Sequence, residues 1–166
     1  AALADRGYEV IDPVNLWVCP IDQLTDVPVP RVTAFSIWEP LAIMRDLWQA
    51  GGIGPERIAV MERAKVPKIG VLGRFADKPA GTAYCAISEQ IAMVHALEIP
   101  KAHRRKGMGV WLMRQAALWA KPNGAEWMSV LCTQANVGAN GLYASLGMKV
   151  VGQYHYRILP NTSEPK

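Results

Sequence analysis

One stretch of the chain has the residue types and spacing for anion chemistry: Leu97-Glu98-Ile99-Pro100-Lys101-Ala102-His103-Arg104-Arg105-Lys106-Gly107-Met108-Gly109. Strand-forming residues give way to a basic loop, and a helix is predicted to begin at two glycines separated by one residue. The first turn of a helix presents N–H groups without partners and the positive end of the helix dipole, which suits a pyrophosphate. Glycine lets the backbone approach such a ligand with no Cβ in the way. From Ile99 to Ala125 the sequence carries Lys101, Arg104, Arg105, Lys106, Arg114 and Lys121 and no acidic residue, although the net charge of the whole chain is only +4. A local basic block on a nearly neutral body points to one anionic ligand. It argues against a nucleic-acid surface, for which aromatic residues interleaved with the basic ones would be expected.

The elements that must position this loop follow from the rest of the chain. Its 166 residues, 51% hydrophobic and 19% charged, are enough for one domain with a buried core and exclude disorder. Every long apolar run is interrupted by polar residues, so no bilayer-spanning helix is expected. Asp5, Arg6, Glu9 and Asp12 leave no room for a secretory leader in the first dozen residues. Cys19, Cys85 and Cys132 are odd in number and show no C-x-x-C spacing, so neither a disulfide framework nor a zinc site is expected. A reducing cytoplasm is the expected location. Hydrophobic periodicity predicts strands at residues 31–37, 68–74, 81–88, 91–99, 127–132 and 149–158, and helices at 41–50, 55–64, 107–120 and 139–146. The turns between the middle strands are expected at Asp77-Lys78-Pro79 and Glu89-Gln90, the pattern of an antiparallel meander.

Residues 1–30 read as an extension that ends in the extended linker Val27-Pro28-Val29-Pro30, residues 31–160 as the main domain and residues 161–166 as a polar tail. An internal repeat runs through the extension. Ala4-Asp5-Arg6-Gly7-Tyr8-Glu9-Val10-Ile11 aligns with Ala144-Ser145-Leu146-Gly147-Met148-Lys149-Val150-Val151, 140 residues later, and both copies read as helix end, glycine cap and strand. The extension is thus read as the remnant of a preceding unit of the same kind.

With these elements in order, the chain resembles the GNAT superfamily of acyl-CoA-dependent N-acyltransferases over residues 31–158. Arg104-x-x-Gly107-x-Gly109 is similar to its pyrophosphate loop, and Asn136-x-x-Ala139-x-x-Leu142-Tyr143-x-x-Leu146-Gly147-Met148 to its second signature. The resemblance implies an α+β (mixed α/β) fold with a mostly antiparallel central sheet, helices on both faces and a splayed cleft for acetyl-CoA. It also implies pantetheine pairing with the backbone of Leu97 and Ile99, and pyrophosphate on Arg104, Arg105, Lys106, Gly107, Met108 and Gly109. Asn136 would touch the cofactor arm, the Leu97 amide would stabilise the oxyanion, and Tyr143 would be the general acid. His95 resembles the histidine at this place in arylalkylamine acetyltransferases and has an imidazole's fitness as a base. Glu98 and Glu39 are alternative bases. On a regular strand His95 and Glu98 have opposite parity, so only a bulge could turn both to one face. Trp38 and Trp48 are aromatic walls or core, Cys132 is read as a buried thiol more than a nucleophile, and Tyr154-His155-Tyr156 is packing or the edge of a homodimer.

The implied activity is acetyl transfer from acetyl-CoA to a primary amine of a small molecule, with no metal, nucleic acid or membrane involved. Its rivals are a protein acetyltransferase and a non-catalytic acyl-CoA-binding module, and the presence of Tyr143 weighs against the second. One expectation concerns the sheet. Family members finish with two strands after the Tyr143 helix, whereas this chain has one, at residues 149–158. The vacant place beside 127–132 would leave backbone groups unpaired. Part of Tyr8–Val18 is expected to fill it, with Pro13 confining the pairing to residues after it or to an edge.

Overall fold

The protein is described over residues 2–160 by a computed structural model; the tail expected at 161–166 lies outside the described residues. A turn of 3-10 helix at Ala4–Arg6 leads into β1 (Glu9–Pro20), the one-turn helix α1 (Asp22–Thr25), β2 (Ala34–Ile37), α2 (Ala42–Ala50) and α3 (Pro55–Arg63). There follow β3 (Lys68–Phe75), β4 (Lys78–Ser88), β5 (Ile91–Glu98), α4 (Met108–Ala120), β6 (Trp127–Thr133), α5 (Val137–Ser145) and β7 (Lys149–Ile158). The strands form one sheet in the order β2-β3-β4-β5-β6-β1-β7. Every neighbouring pair is antiparallel except β5 and β6.

Local chemistry explains most of the boundaries. Ala76-Asp77 and Glu89-Gln90 form two-residue turns with all four residues at positive φ, the backbone twist that matches a hairpin. The first turn is therefore shorter than expected: Lys78 and Pro79 belong to β4, where Pro79 pairs with Arg74 beside a register shift. Residues 31–33 form a turn with Val32 at φ 61°, so β2 begins three residues later than the sequence pattern suggests. Pro55 occupies the first turn of α3, where its missing N–H costs nothing.

The two faces of the sheet are covered unequally. On one, α4 lays its fully buried Leu112, Met113, Ala116, Ala117 and Ala120 over Val71, Cys85, Val94 and Met128, with Leu24 of α1 and Tyr143 and Leu146 of α5 in the same cluster. On the other, Met44 and Trp48 of α2 and Ile58 and Met61 of α3 pack on Leu72 and Tyr84.

The N-terminal segment fills the vacant place. β1 pairs with β6 from Val14↔Thr133 to Pro20↔Trp127, and with β7 from Glu9↔Ile158 to Val18↔Lys149. Pro13 has the effect expected of it: pairing to β6 starts at the next residue, and the β7 ladder is interrupted between Ile11 and Val14. The two copies of the sequence repeat also share a conformation. Gly7 at φ 80° and Gly147 at φ 75° each turn the chain from a helical segment into a strand. In the β1–β7 ladder Val14 faces Tyr154, its own counterpart in the repeat. The pairs Glu9↔Ile158 and Val18↔Lys149 exchange under the same 140-residue offset, so the ladder has a local pseudo-twofold axis.

Since β1 is hydrogen-bonded on both sides, the amides of Val14–Val18 should exchange with solvent only through large-scale opening. Hydrogen exchange read residue by residue checks this; fast exchange throughout that stretch in the folded protein would contradict the pairing.

Candidate active site

The parallel ladder between β5 and β6 is four pairs long, Ile91↔Trp127 to Val94↔Val130, and then stops. Beyond it β5 stays with β4 through Tyr84↔His95 and Thr82↔Glu98, while β6 stays with β1 through Leu16↔Leu131 and Val14↔Thr133. Each strand is held by its outer neighbour, and a gap opens between them. In this stretch β5 bulges. Ala96 has φ 53°, the register to β4 shifts, and neither Ala96 nor Leu97 has a ladder partner. The bulge is pinned from one face, because Trp48 Nε1 donates to the Ala96 carbonyl at 2.8 Å.

The extra residue sorts the side chains. Leu97 and Ile99 pack on the α4 side. His95 lies against Tyr84, ring centroids 6.1 Å apart, on the side of α2 and α3. Glu98 also turns to that side, occupying the space beside Gly51 at the end of α2. Arg57 of α3 acts on both. Burial first and the Arg57 charge second hold the His95 imidazole below its usual range, so it is neutral near pH 7. Burial raises Glu98 above the usual carboxylate range, against the opposing pull of Arg104 and Arg57. Glu39 is exposed, outside this group. Trp48 is fully buried core, and Trp38 lies tilted against Tyr84, ring centroids 6.1 Å apart, with the Lys68 ammonium 4.8 Å from its ring centre.

Across the gap, the basic loop leads into α4. A 3-10 turn at Lys101–His103 is followed by left-handed Arg105 (φ 61°) and Gly107 (φ 78°). No side chain caps α4, so its first-turn N–H groups are unoccupied. Arg104 Nε and Lys106 Nζ donate to the Ile99 and Ala102 carbonyls at 2.9 Å each, which steadies the loop. Met108 is buried and can offer a ligand only its backbone. At Gly109 a Cβ would come within 2.7 Å of Leu142 Cδ2 on α5. Two members of the basic block are used elsewhere, since Arg114 pairs with Asp26 at 2.6 Å and Lys121 with Asp22 at 2.7 Å. The charge left for a ligand is Lys101, Arg104, Arg105 and Lys106.

Tyr143 of α5 is 3% exposed. Burial, and then the neighbouring Cys132, push its phenol well above the ordinary range, so the proton stays on. Burial raises Cys132 as well, so the sulfur is a thiol and a poor nucleophile. Asn136 caps α5 by accepting from the Ala139 amide at 3.1 Å.

Asn140 is the residue that the sequence pattern passes over. Its Nδ2 donates to the Thr133 and Asn136 carbonyls at 2.9 and 2.8 Å, and its Oδ1 accepts from Asn15 Nδ2 and Trp17 Nε1 at 3.2 and 3.0 Å. One amide thus ties β1, the end of β6 and α5 together with its full bonding capacity. Trp17 also leans on Tyr143, ring centroids 6.3 Å apart. Among the described residues no three His, Cys, Asp or Glu side chains could jointly hold a metal ion, and no helix is long and apolar enough to cross a membrane.

Comparison with known proteins agrees with this fold. The sequence profile of the acetyltransferase (GNAT) family matches residues 41–148. The chain is 31% identical over 166 residues to an uncharacterised N-acetyltransferase, YobR, of Bacillus subtilis (strain 168), covering 95% of this chain and 66% of that protein. A tandem GNAT protein from the clavulanic acid biosynthesis pathway superposes with a TM-score of 0.70 at 12% identity, over 93% of this chain and 55% of that one. A Bacillus subtilis acetyltransferase in complex with CoA gives 0.61 at 15% identity, over 74% of this chain and 79% of the other. The chain thus spans about two thirds of the curated relative and little more than half of the tandem protein.

Asn140→Ala would remove the acceptor of two partly buried donors, Asn15 Nδ2 and Trp17 Nε1, while the Thr133 and Asn136 carbonyls keep their backbone donors. A buried donor or acceptor left unpaired costs about 1–3 kcal/mol. The melting temperature should fall by roughly 2–4 °C per kcal/mol in a chain of this size; calorimetry showing no shift would refute the role given to this residue.

Proposed function

The chain belongs to the acetyltransferase (GNAT) family, and from that premise we propose that it moves an acetyl group from acetyl-CoA directly to a primary amine of a small molecule. The observation that carries this reading is the parting of β5 from β6 after Val94↔Val130. It joins the two sides of the sheet at one point, with the α4 loop and Tyr143 on one side and His95 and Glu98 on the other.

On the first side the free amides at the start of α4, with Arg104, Arg105 and Lys106 around them, hold the pyrophosphate. The backbone of Leu97, which has no ladder partner, and the Ile99 N–H offer the pantetheine arm the hydrogen bonds of an added strand. On the second side Glu98 draws in the ammonium and His95 accepts its proton. The freed nitrogen attacks the thioester carbon, and a C–N bond forms. The Leu97 N–H stabilises the oxyanion, an interaction whose loss typically costs about 10²–10³ in rate. The C–S bond then breaks, Tyr143 gives its proton to the departing sulfur, and the second proton released from the nitrogen as the amide forms restores the phenol. Burial keeps the phenol protonated near pH 7, so Tyr143 has a proton to give and does not act as a base.

Two measurements test the assignment. Tyr143→Phe should lower kcat by about 10–10³-fold while acetyl-CoA affinity by calorimetry is unchanged; full turnover in that variant removes Tyr143 from the chemistry. Only a neutral imidazole accepts a proton, so kcat/KM should fall as pH drops through the His95 pKa. Burial and Arg57 place that inflection below the usual histidine range. His95→Gln should abolish the inflection, and its persistence in the variant would assign the proton to another group.

A further inference from the structure

Helices α2 and α3 cover their face of the sheet only as far as β5, and no buried residue of β6, β1 or β7 joins the cluster beneath them. Past β5 that face lies open. Leu16 and Val18 of β1, Ile91 and Met93 of β5, and Trp127 and Ser129 of β6 line a concavity of about 270 Å³ there. None of the six side chains is charged, and the one hydroxyl is engaged, since Ser129 Oγ donates to the Ala92 carbonyl at 3.1 Å. Ile91 and Trp127 are each 44% exposed, a large apolar area to leave to water.

Position and shape limit what can occupy it. Met93 lies two residues before His95 on β5, so their side chains share a face. The concavity is therefore continuous with the acceptor side of the gap and runs away from it for four residues to Ile91, about 13 Å at the rise of a strand. Its floor strands are each paired on both sides, β5 with β4 and β6, β6 with β5 and β1, β1 with β6 and β7. No backbone edge is free, so an added strand is excluded. The concavity is too small to enclose a helix about 10–12 Å across, whereas a small apolar group fits inside it, held by burial and dispersion alone.

We propose, resting on the transferase reading above, that this concavity seats the tail of the acceptor. The acceptor is then a primary amine with a short or medium hydrocarbon tail. Its nitrogen lies at the His95–Glu98 end, and its carbons lie over Met93, Leu16 and Val18 toward Ile91 and Trp127. A tail ending in a second charge would lose its hydration against these side chains and find no partner.

The test uses the protein saturated with CoA and titrated with propylamine, hexylamine and 1,5-diaminopentane. Binding is read from Trp127 emission, isolated from the chain's other tryptophans by subtracting the Trp127→Phe protein. Hexylamine should bind more tightly than propylamine by about three- to fourfold per added methylene. The diamine should bind at least about tenfold more weakly than hexylamine. Met93→Gln and Val18→Thr should each flatten the length dependence while CoA affinity stays unchanged. Equal affinities for the three amines, or a length dependence that both variants leave intact, overturn the proposal. So does an emission change that follows protein concentration instead of amine, which would make the face a protein–protein surface. Initial rates of CoA release with the same amines separate the two readings. Tight hexylamine binding with no release defeats the transferase reading and leaves the tail site standing, whereas release without length preference does the reverse.

Discussion

Two parallel strands bonded to each other for four residues and then drawn apart are the constraint on which the rest of this structure depends. β5 follows β4 and β6 follows β1, because each has a longer antiparallel ladder with its outer neighbour than with the other. The separation leaves main-chain groups of β5 without partners in the middle of a sheet, a place where unpaired groups are costly. A ligand that supplies those hydrogen bonds is stabilised by the same deficit. The bulge at Ala96 adds to this. It removes Leu97 from the ladder and rotates Glu98 onto the face of His95, so the halves proposed for cofactor and acceptor are sorted by one inserted residue.

The other wall of the gap is held in place by a strand from the opposite end of the sequence. Without β1, β6 would be an edge, and α5 would rest on half a support. Asn140 and the Trp17–Tyr143 contact convert that strand into a brace for the residue proposed as the acid. The pseudo-twofold β1–β7 ladder, in which Val14 faces its own repeat counterpart, gives the sequence repeat a physical meaning. Two like strands, each entered through a left-handed glycine, pair about a shared axis as two copies of one unit would.

How much of this was legible beforehand depended on the range of the interaction. The basic loop, the order of elements and the vacant place beside β6 could be read because they follow from local composition, helix-start glycines and a count of strands. Pro13 likewise announced where the ladder would be interrupted. The bulge could not be read: Ala96 is neither glycine nor asparagine, and its left-handed φ is fixed by the indole of Trp48, 48 residues away in sequence. The Asn140 junction was hidden for the same reason, since Asn15 lies 125 residues from it. The turn at Ala76-Asp77 lacks the usual Asn-Gly signal and was misplaced toward Pro79.

The insertion of β1 between β6 and β7 also sets an order of assembly. This strand leaves the ribosome before all the other strands described here, yet its two partners, Trp127–Thr133 and Lys149–Ile158, are more than a hundred residues downstream. At ordinary rates of synthesis that wait is on the order of ten seconds. Through it a run carrying Val14, Leu16, Trp17 and Val18 has no partner strand, and ladders of such long range are also slow to close once the chain is complete. The β2–β5 half with its two hairpins can form while translation continues. The half that carries Tyr143 cannot close until β6 has been made, because β1 has no earlier partner.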